Sequence, residues 1–221
     1  MSLVIHRLSS IASTQDAARR LAEAGESGPG VVVVADEQTN GRGRFGRTWL
    51  SPIGGLYATY FMDRHPVISF RVGVAVTKAL ARYGVEADLK WPNDVLIGVR
   101  KLAGVLIETH ADVAFVGIGL NMAEAPLETA ICLQEIGCSV RRGELMVAIG
   151  EELGIARTED EIVDAYKERL STLGRTVRVS MEDGTLIEGT AVDVDADGRL
   201  IVSTKEGRRT IASGECQHLT T

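Results

Sequence analysis

Residues 41 to 49 read Gly-Arg-Gly-Arg-Phe-Gly-Arg-Thr-Trp, so Arg42, Arg44 and Arg47 stand on a stretch spaced by Gly41, Gly43 and Gly46. A guanidinium group is a planar fork whose N–H donors match the oxygens of a phosphate or carboxylate in pairs. Three such cations on a flexible segment repel one another unless an anion gathers them. Trp49 ends the stretch with an aromatic face suited to packing beside a nucleotide base. The glycines also fit the G-x-G-x-x-G pattern of a dinucleotide cradle, which requires a helix to begin at the third glycine. Here Gly46 is followed by RTWLSPIGGLY, and Pro52, Gly54 and Gly55 forbid a helix of useful length. Asp63 imitates the acidic part of that fingerprint, but without the helix the cradle fails, and the P-loop pattern is absent too. Either side chains in this loop grasp an anion, or its arginines form a solvated turn paired with surface acids.

Further polar residues stand where strands begin or end. Asn93 in KWPND and Asn121 in GIGLN follow strand-like segments, where an amide reaches a nucleotide or simply forms a turn. Lys101, in RKLAGVLIE, opens an apolar strand and is either a cation at a reacting centre or a solvated lysine at a hairpin end. Gly104 and Gly119 interrupt strands, which points to close backbone approach to a ligand. Ser13 is a candidate helix cap that leaves Thr14 exposed to a ligand.

Composition narrows the function classes. The 221 residues carry 24 lysines and arginines against 30 acids, a net charge of −6, which argues against general nucleic-acid affinity. The longest apolar runs, GVVVVA and VAFVGIGL, are too short to span a bilayer, and the start shows no signal-peptide pattern. Three cysteines without CxxC spacing and four scattered histidines suggest a reduced cytoplasmic protein without a structural metal.

The elements that must position these residues are mixed. A strand at LVIHRL precedes a helix with Ser13 as cap, Asp16 completing a capping box and Gly25 ending it. GVVVVADEQ reads as a fully buried strand, and GGLYATYFM as another. A helix over 66–83, opened by Pro66, stops at Gly84; a hairpin turns at Gly98 to Arg100. Helical patterns resume at 126–136, 142–153 and 158–172, the last with a Thr158/Glu161 capping box. After Gly174 the pattern is short strands broken at Asp183-Gly184, Asp197-Gly198 and Glu206-Gly207, a meander or small barrel. The expected organisation is α+β: a mixed central sheet flanked by helices over 1–173, and a small β domain over 174–221.

In their order, STQ (13–15), DEQTNGRGRFGRTW (36–49), KWPND, RKLAGVLIE and GIGLN resemble the biotin protein ligases, and the C-terminal strands ending GEC (214–216) resemble that family's SH3-like domain. The resemblance implies a class II synthetase-like catalytic fold and a two-step reaction. Biotin's carboxylate attacks the α-phosphate of Mg2+·ATP to give biotinyl-5′-AMP, and a lysine of a biotin carboxyl carrier domain then attacks the mixed anhydride. It assigns Arg42, Arg44 and Lys101 to the reacting charges and Arg47 to the leaving pyrophosphate. Ser13, Thr14, Gln15 and Gln38 fall to biotin, with the Gly41–Arg44 backbone closing one side. Trp49, Asn93 and Asn121 fall to the nucleotide, beside Gly104 and Gly119. The glycines let the loop order itself over the intermediate. Where this chain has Gln15 the family more often has asparagine. Only 12 residues precede Ser13, which leaves no room for a winged helix-turn-helix and implies a monofunctional enzyme without DNA or membrane partners. The resemblance leaves a homodimer open. Three other functions compete: a lipoate or octanoate ligase or transferase of related fold, a non-enzymatic sensor of biotinyl-adenylate, and a nicotinamide-dependent oxidoreductase.

Overall fold

A computed structural model of the chain describes residues 3–219. β1 (Val4–Ile11) lies parallel to β2 (Val31–Gln38), joined through α1 (Thr14–Glu23). β3 (Leu56–Asp63) returns antiparallel to β2 and leads into α2 (Ile68–Ala81). β4 (Asp88–Lys90), β5 (Asp94–Ile97), β6 (Arg100–His110) and β7 (Val113–Leu120) complete one seven-stranded mixed sheet in the order β1-β2-β3-β7-β6-β5-β4.

The apolar run of β2 is continuous because both of its faces are covered. Val32 and Val34 pack into the main core with α2, α3 (Arg142–Gly154) and α4 (Glu159–Glu168), whereas Val33 meets Ala17 and Ala18 of α1 beside Phe61 and Phe115 on the opposite face. The hairpin expected at Gly98 is present, with Gly98 at φ +61°. Thr158 and Glu161 form the reciprocal capping box expected at the start of α4, at 3.2 and 2.8 Å. No helix among the described residues is long and apolar enough to cross a membrane.

Four expectations need correction. Ser13 does cap α1, accepting from Gln15 N at 3.3 Å, but Asp16 completes no capping box because its carboxylate receives Arg42 instead. The 66–83 helix is shorter at both ends, Ile68–Ala81, and the 158–172 helix stops early, at Glu168. Residues 126–136 are not helical. Their backbone pairs with neighbouring strands: Lys101 N donates to Thr129 O and Ile131 N to Lys101 O, each at 3.0 Å, and Leu133 N donates to Asn121 O. A segment whose amides are bonded across the sheet has none left for helical i→i−4 bonds.

The chain ends in a five-stranded antiparallel sheet. β8 (Thr176–Ser180), β9 (Leu186–Val194), β10 (Leu200–Thr204), β11 (Gly207–Ile211) and β12 (Glu215–His218) assemble as β11-β10-β9-β8-β12. The three expected turn glycines, Gly184, Gly198 and Gly207, all have positive φ. No pairing joins β11 to β12 among the described residues, so the small barrel expected from sequence is seen as an open order of strands. Its inner residues, Val177, Val179, Ala191 and Val202 among them, join the same buried cluster as the larger sheet. Buried Trp91 ties the two sheets together. Its Nε1 donates to Gly198 O at 3.0 Å, and its backbone N donates to Thr172 Oγ1, which lies 3.0 Å from His218 Nε2.

Candidate active site

A cavity of about 540 Å³ opens where α1, β6, β7, the arginine loop and β12 converge. The loop is a folded miniature hairpin facing it. Arg42 and Thr48 form a bridge, Trp49 N donates to Gly41 O at 2.9 Å, and Gly43 N to Arg47 O at 2.7 Å. The turn at its tip runs through Phe45 and Gly46 at φ +55° and +70°, a region that favours glycine. Gly41 is required by packing: a Cβ there would lie 2.7 Å from Ser51 Oγ and would also meet Trp49 O. Gly41 lies behind the lining rather than in it.

One wall is a chain of neutral hydrogen-bonding groups. Gln38 Oε1 accepts from Thr14 N at 2.8 Å and from Thr14 Oγ1 at 3.1 Å. Gln38 Nε2 donates to Ser51 Oγ at 2.8 Å, and Thr59 Oγ1 donates to Thr14 Oγ1 at 2.9 Å. Gln15 Nε2 donates to Leu106 O at 3.0 Å, while its buried Oε1 has no partner among the described residues. The longer side chain fits because Gly117 faces it; a Cβ at that position would sit 2.8 Å from Gln15 Nε2. Ser13, Thr14, Gln15 and Gln38 all line the cavity.

The same cavity is lined by cations. Arg42 is held by two carboxylates, donating to Asp16 Oδ1 at 2.6 Å and Glu108 Oε1 at 3.1 Å. Burial works against its charged form, but these acids outweigh it and hold its pKa above the ordinary guanidinium value. Arg47 pairs with Glu215 of β12. The reading in which loop arginines meet protein acids therefore holds for Arg42 and Arg47 in this state. Arg44 differs. Its partners are neutral: Asn93 Oδ1 at 3.3 Å, Gly214 O at 3.4 Å and Ser213 Oγ at 2.8 Å. Burial lowers its pKa, against weaker support from the more distant Asp94 charge. Lys101 Nζ pairs with Asp94 Oδ1 at 2.6 Å and stands 5.2 Å from the Trp49 ring centroid.

Trp49 also lines the cavity. Its indole is seated on β6 and β7 against Gly104 and Gly119: a Cβ at Gly104 would approach Cζ3 to 2.9 Å, and one at Gly119 would overlap the indole nitrogen. The close approach expected at these glycines is thus made by Trp49 itself. Its buried Nε1 donor has no partner among the described residues.

Asn93 reaches the cavity and is oriented by Nδ2 donating to Val105 O at 2.7 Å. Asn121 does not. Its Nδ2 donates to Lys101 O and Ile131 O at 3.3 and 3.2 Å, bracing the 126–136 segment against β6. Sequence reasoning missed the contribution of β12 and the turn before it: Gly214, Glu215 and Cys216 line the cavity beside Lys90 and Asp94. The available signal was the small polar stretch SGE, overlapping the GEC (214–216) of the family resemblance. Burial pushes the Cys216 thiol up to about 11, which keeps it protonated and unreactive.

Comparison with known proteins follows the same lines. Residues 8–122 match the model of the Biotin/lipoate A/B protein ligase family, and residues 172–219 that of the Biotin protein ligase C terminal domain. A biotin–[acetyl-CoA-carboxylase] ligase of Mycobacterium tuberculosis is 31% identical over 211 residues, covering 86% of this chain and 79% of the relative. The structure of biotin protein ligase from Aquifex aeolicus in complex with biotin and ATP superposes with a TM-score of 0.82 at 30% identity, over 98% of this chain and 99% of that one. The Leishmania major biotin protein ligase in complex with biotinyl-5-AMP gives 0.70 at 29% identity, over 95% and 98%.

Proposed function

The chain belongs to the biotin/lipoate A/B protein ligase family, and on that premise we propose that it activates biotin with ATP and transfers it to a lysine of a biotin carboxyl carrier domain. In the first step a carboxylate oxygen of biotin attacks the α-phosphorus, the bond to the β-phosphate breaks, and pyrophosphate leaves. In the second, the lysine amine attacks the acyl carbon, AMP departs with the acyl oxygen, and a proton passes to solvent. The observation that carries this reading is a single cavity lined both by uncharged donors and acceptors, Thr14, Gln15 and Gln38, and by the cations Arg44 and Lys101.

A carboxylate approaching a phosphate at 4 Å is opposed by about 4 kcal/mol at an effective dielectric of 20, roughly three powers of ten in rate. Arg44, whose guanidinium has only neutral partners, and Lys101 offset that repulsion. Thr14, Gln15 and Gln38 take the ureido group of biotin, and Trp49 offers its ring to the adenine. Mg2+ enters with ATP as part of the substrate, and Asp94 and Asn93, which line the cavity, would offer it oxygen donors. We divide the chain at 173/174 and read it as a cytoplasmic, protein-modifying enzyme without DNA or membrane partners. Exposed Val4 and Ile5 on the edge strand β1 suit pairing of two copies.

Biotin- and Mg2+-dependent ATP–pyrophosphate exchange, followed by biotin transfer to a purified carrier domain, tests the proposal. Exchange supported by lipoate or octanoate and not by biotin would overturn it.

A further inference from the structure

We propose that Glu215 is a displaceable stand-in for phosphate: it holds Arg47, and through it the arginine hairpin, against the C-terminal sheet until a polyphosphate claims the guanidinium. This rests on the function proposed above and names a positioning residue that it does not contain. The turn before β12 and the first residue of that strand receive two hairpin arginines at three consecutive residues. Arg44 donates to Ser213 Oγ and Gly214 O, and Arg47 pairs with Glu215. The seat is firm, because a Cβ on Gly214 would press on Val179 Cγ1 at 2.5 Å and Ser180 O at 3.2 Å, so the turn lies flat on β8.

The hairpin has a second anchor of a different kind. Arg42 is held by both Asp16 and Glu108, and its side chain is 32% exposed; Arg47 has one carboxylate and is 60% exposed. A singly held, solvated ion pair is a weak bond, whereas a polyphosphate offers a guanidinium several charged oxygens. Of the two anchors, the Arg47–Glu215 pair is the one a nucleotide can break. Both residues line the cavity, so a polyphosphate bound there competes with the carboxylate for the Arg47 guanidinium. Once pyrophosphate has left, the pair re-forms and holds the hairpin over the adenylate.

The idea predicts a combination that simple loss of packing does not produce. Glu215→Gln removes the competing charge, so the KM for ATP falls about two- to fivefold, the range of an exposed ion pair. The same variant leaks adenylate, seen as faster AMP release without acceptor. Glu215→Asp retains wild-type behaviour on both readouts. Without any ligand, limited proteolysis within residues 41–50 is faster in Glu215→Gln and in Arg47→Gln, and no faster again in the double variant. Equal cleavage of wild type and Glu215→Gln at matched thermal stability, or a KM for ATP that rises in Glu215→Gln, overturns the latch. The ligand-free arm decides the latch even if biotin-dependent exchange fails, so the two readings fall separately.

Discussion

Arg44 and Lys101 differ in how they are neutralised, and that difference sets what their removal does. Lys101 has Asp94 at 2.6 Å, and both side chains are partly exposed, so truncation leaves a carboxylate that water can solvate. Lys101→Ala is expected to lower the adenylation rate by about 10²–10³-fold, the usual effect of removing one preorganised charge from a reacting centre. Its circular dichroism should match wild type, and adenylation at the wild-type rate would remove Lys101 from the reaction. Arg44 spans the hairpin, Asn93 and the C-terminal turn through neutral partners. Arg44→Ala loosens the closed hairpin as well as removing charge, so adenylate should escape and biotinylate bystander proteins. Unchanged bystander labelling would count against closure. Both residues were legible in the sequence because a cation beside glycines or at a strand start carries its chemistry locally. The long-range pairings of the hairpin with β12 were not. Arg47 and Glu215 are 168 positions apart, and nothing in either neighbourhood specifies the other.

At the level of elements, the arginine hairpin and strands β6 and β7 form one unit through Trp49. The indole lies where side chains of residues 104 and 119 would be, so those glycines act as a seat. Gly119→Ala is expected to lift the indole and the hairpin with it while leaving the strand pairing intact. Fluorescence of Trp49 should then report greater solvent exposure, with weaker nucleotide binding; Gly119→Ala with unchanged fluorescence and affinity would show the seat to be dispensable. Strands were readable here because β-branched runs and turn glycines are local signals. The helix expected at 126–136 was misread for a related reason. Its apolar spacing is genuine, but the amides are taken by Lys101, Asn121 and Met122 across the sheet, a partner set that periodicity does not encode. Asp16 shows the same effect in one residue: the local rule offers it to the helix start, and Arg42 takes it for the hairpin.

Across the whole molecule, the two sheets are joined at Trp91, Thr172 and His218, and Trp91 lines the cavity together with Cys216 and Glu215. Burial pushes the His218 pKa down to about 4, with Lys90 and Arg175 adding repulsion in the same direction. The folded state thus keeps this imidazole neutral while the unfolded chain protonates near its ordinary value of about 6.5. Between those two values the unfolded state binds more protons, so stability falls as pH drops from about 6.5 towards 4 and is constant, for this group, above that window. Thermal midpoints measured from pH 7 to 4.5 should decline more steeply in the wild type than in His218→Gln, whose amide can still meet the Thr172 hydroxyl. Because β12 carries both His218 and Glu215, the same acid titration should speed cleavage within residues 41–50 before the protein unfolds globally. Parallel pH profiles for wild type and His218→Gln would place the acid sensitivity elsewhere and separate the sheet junction from hairpin closure.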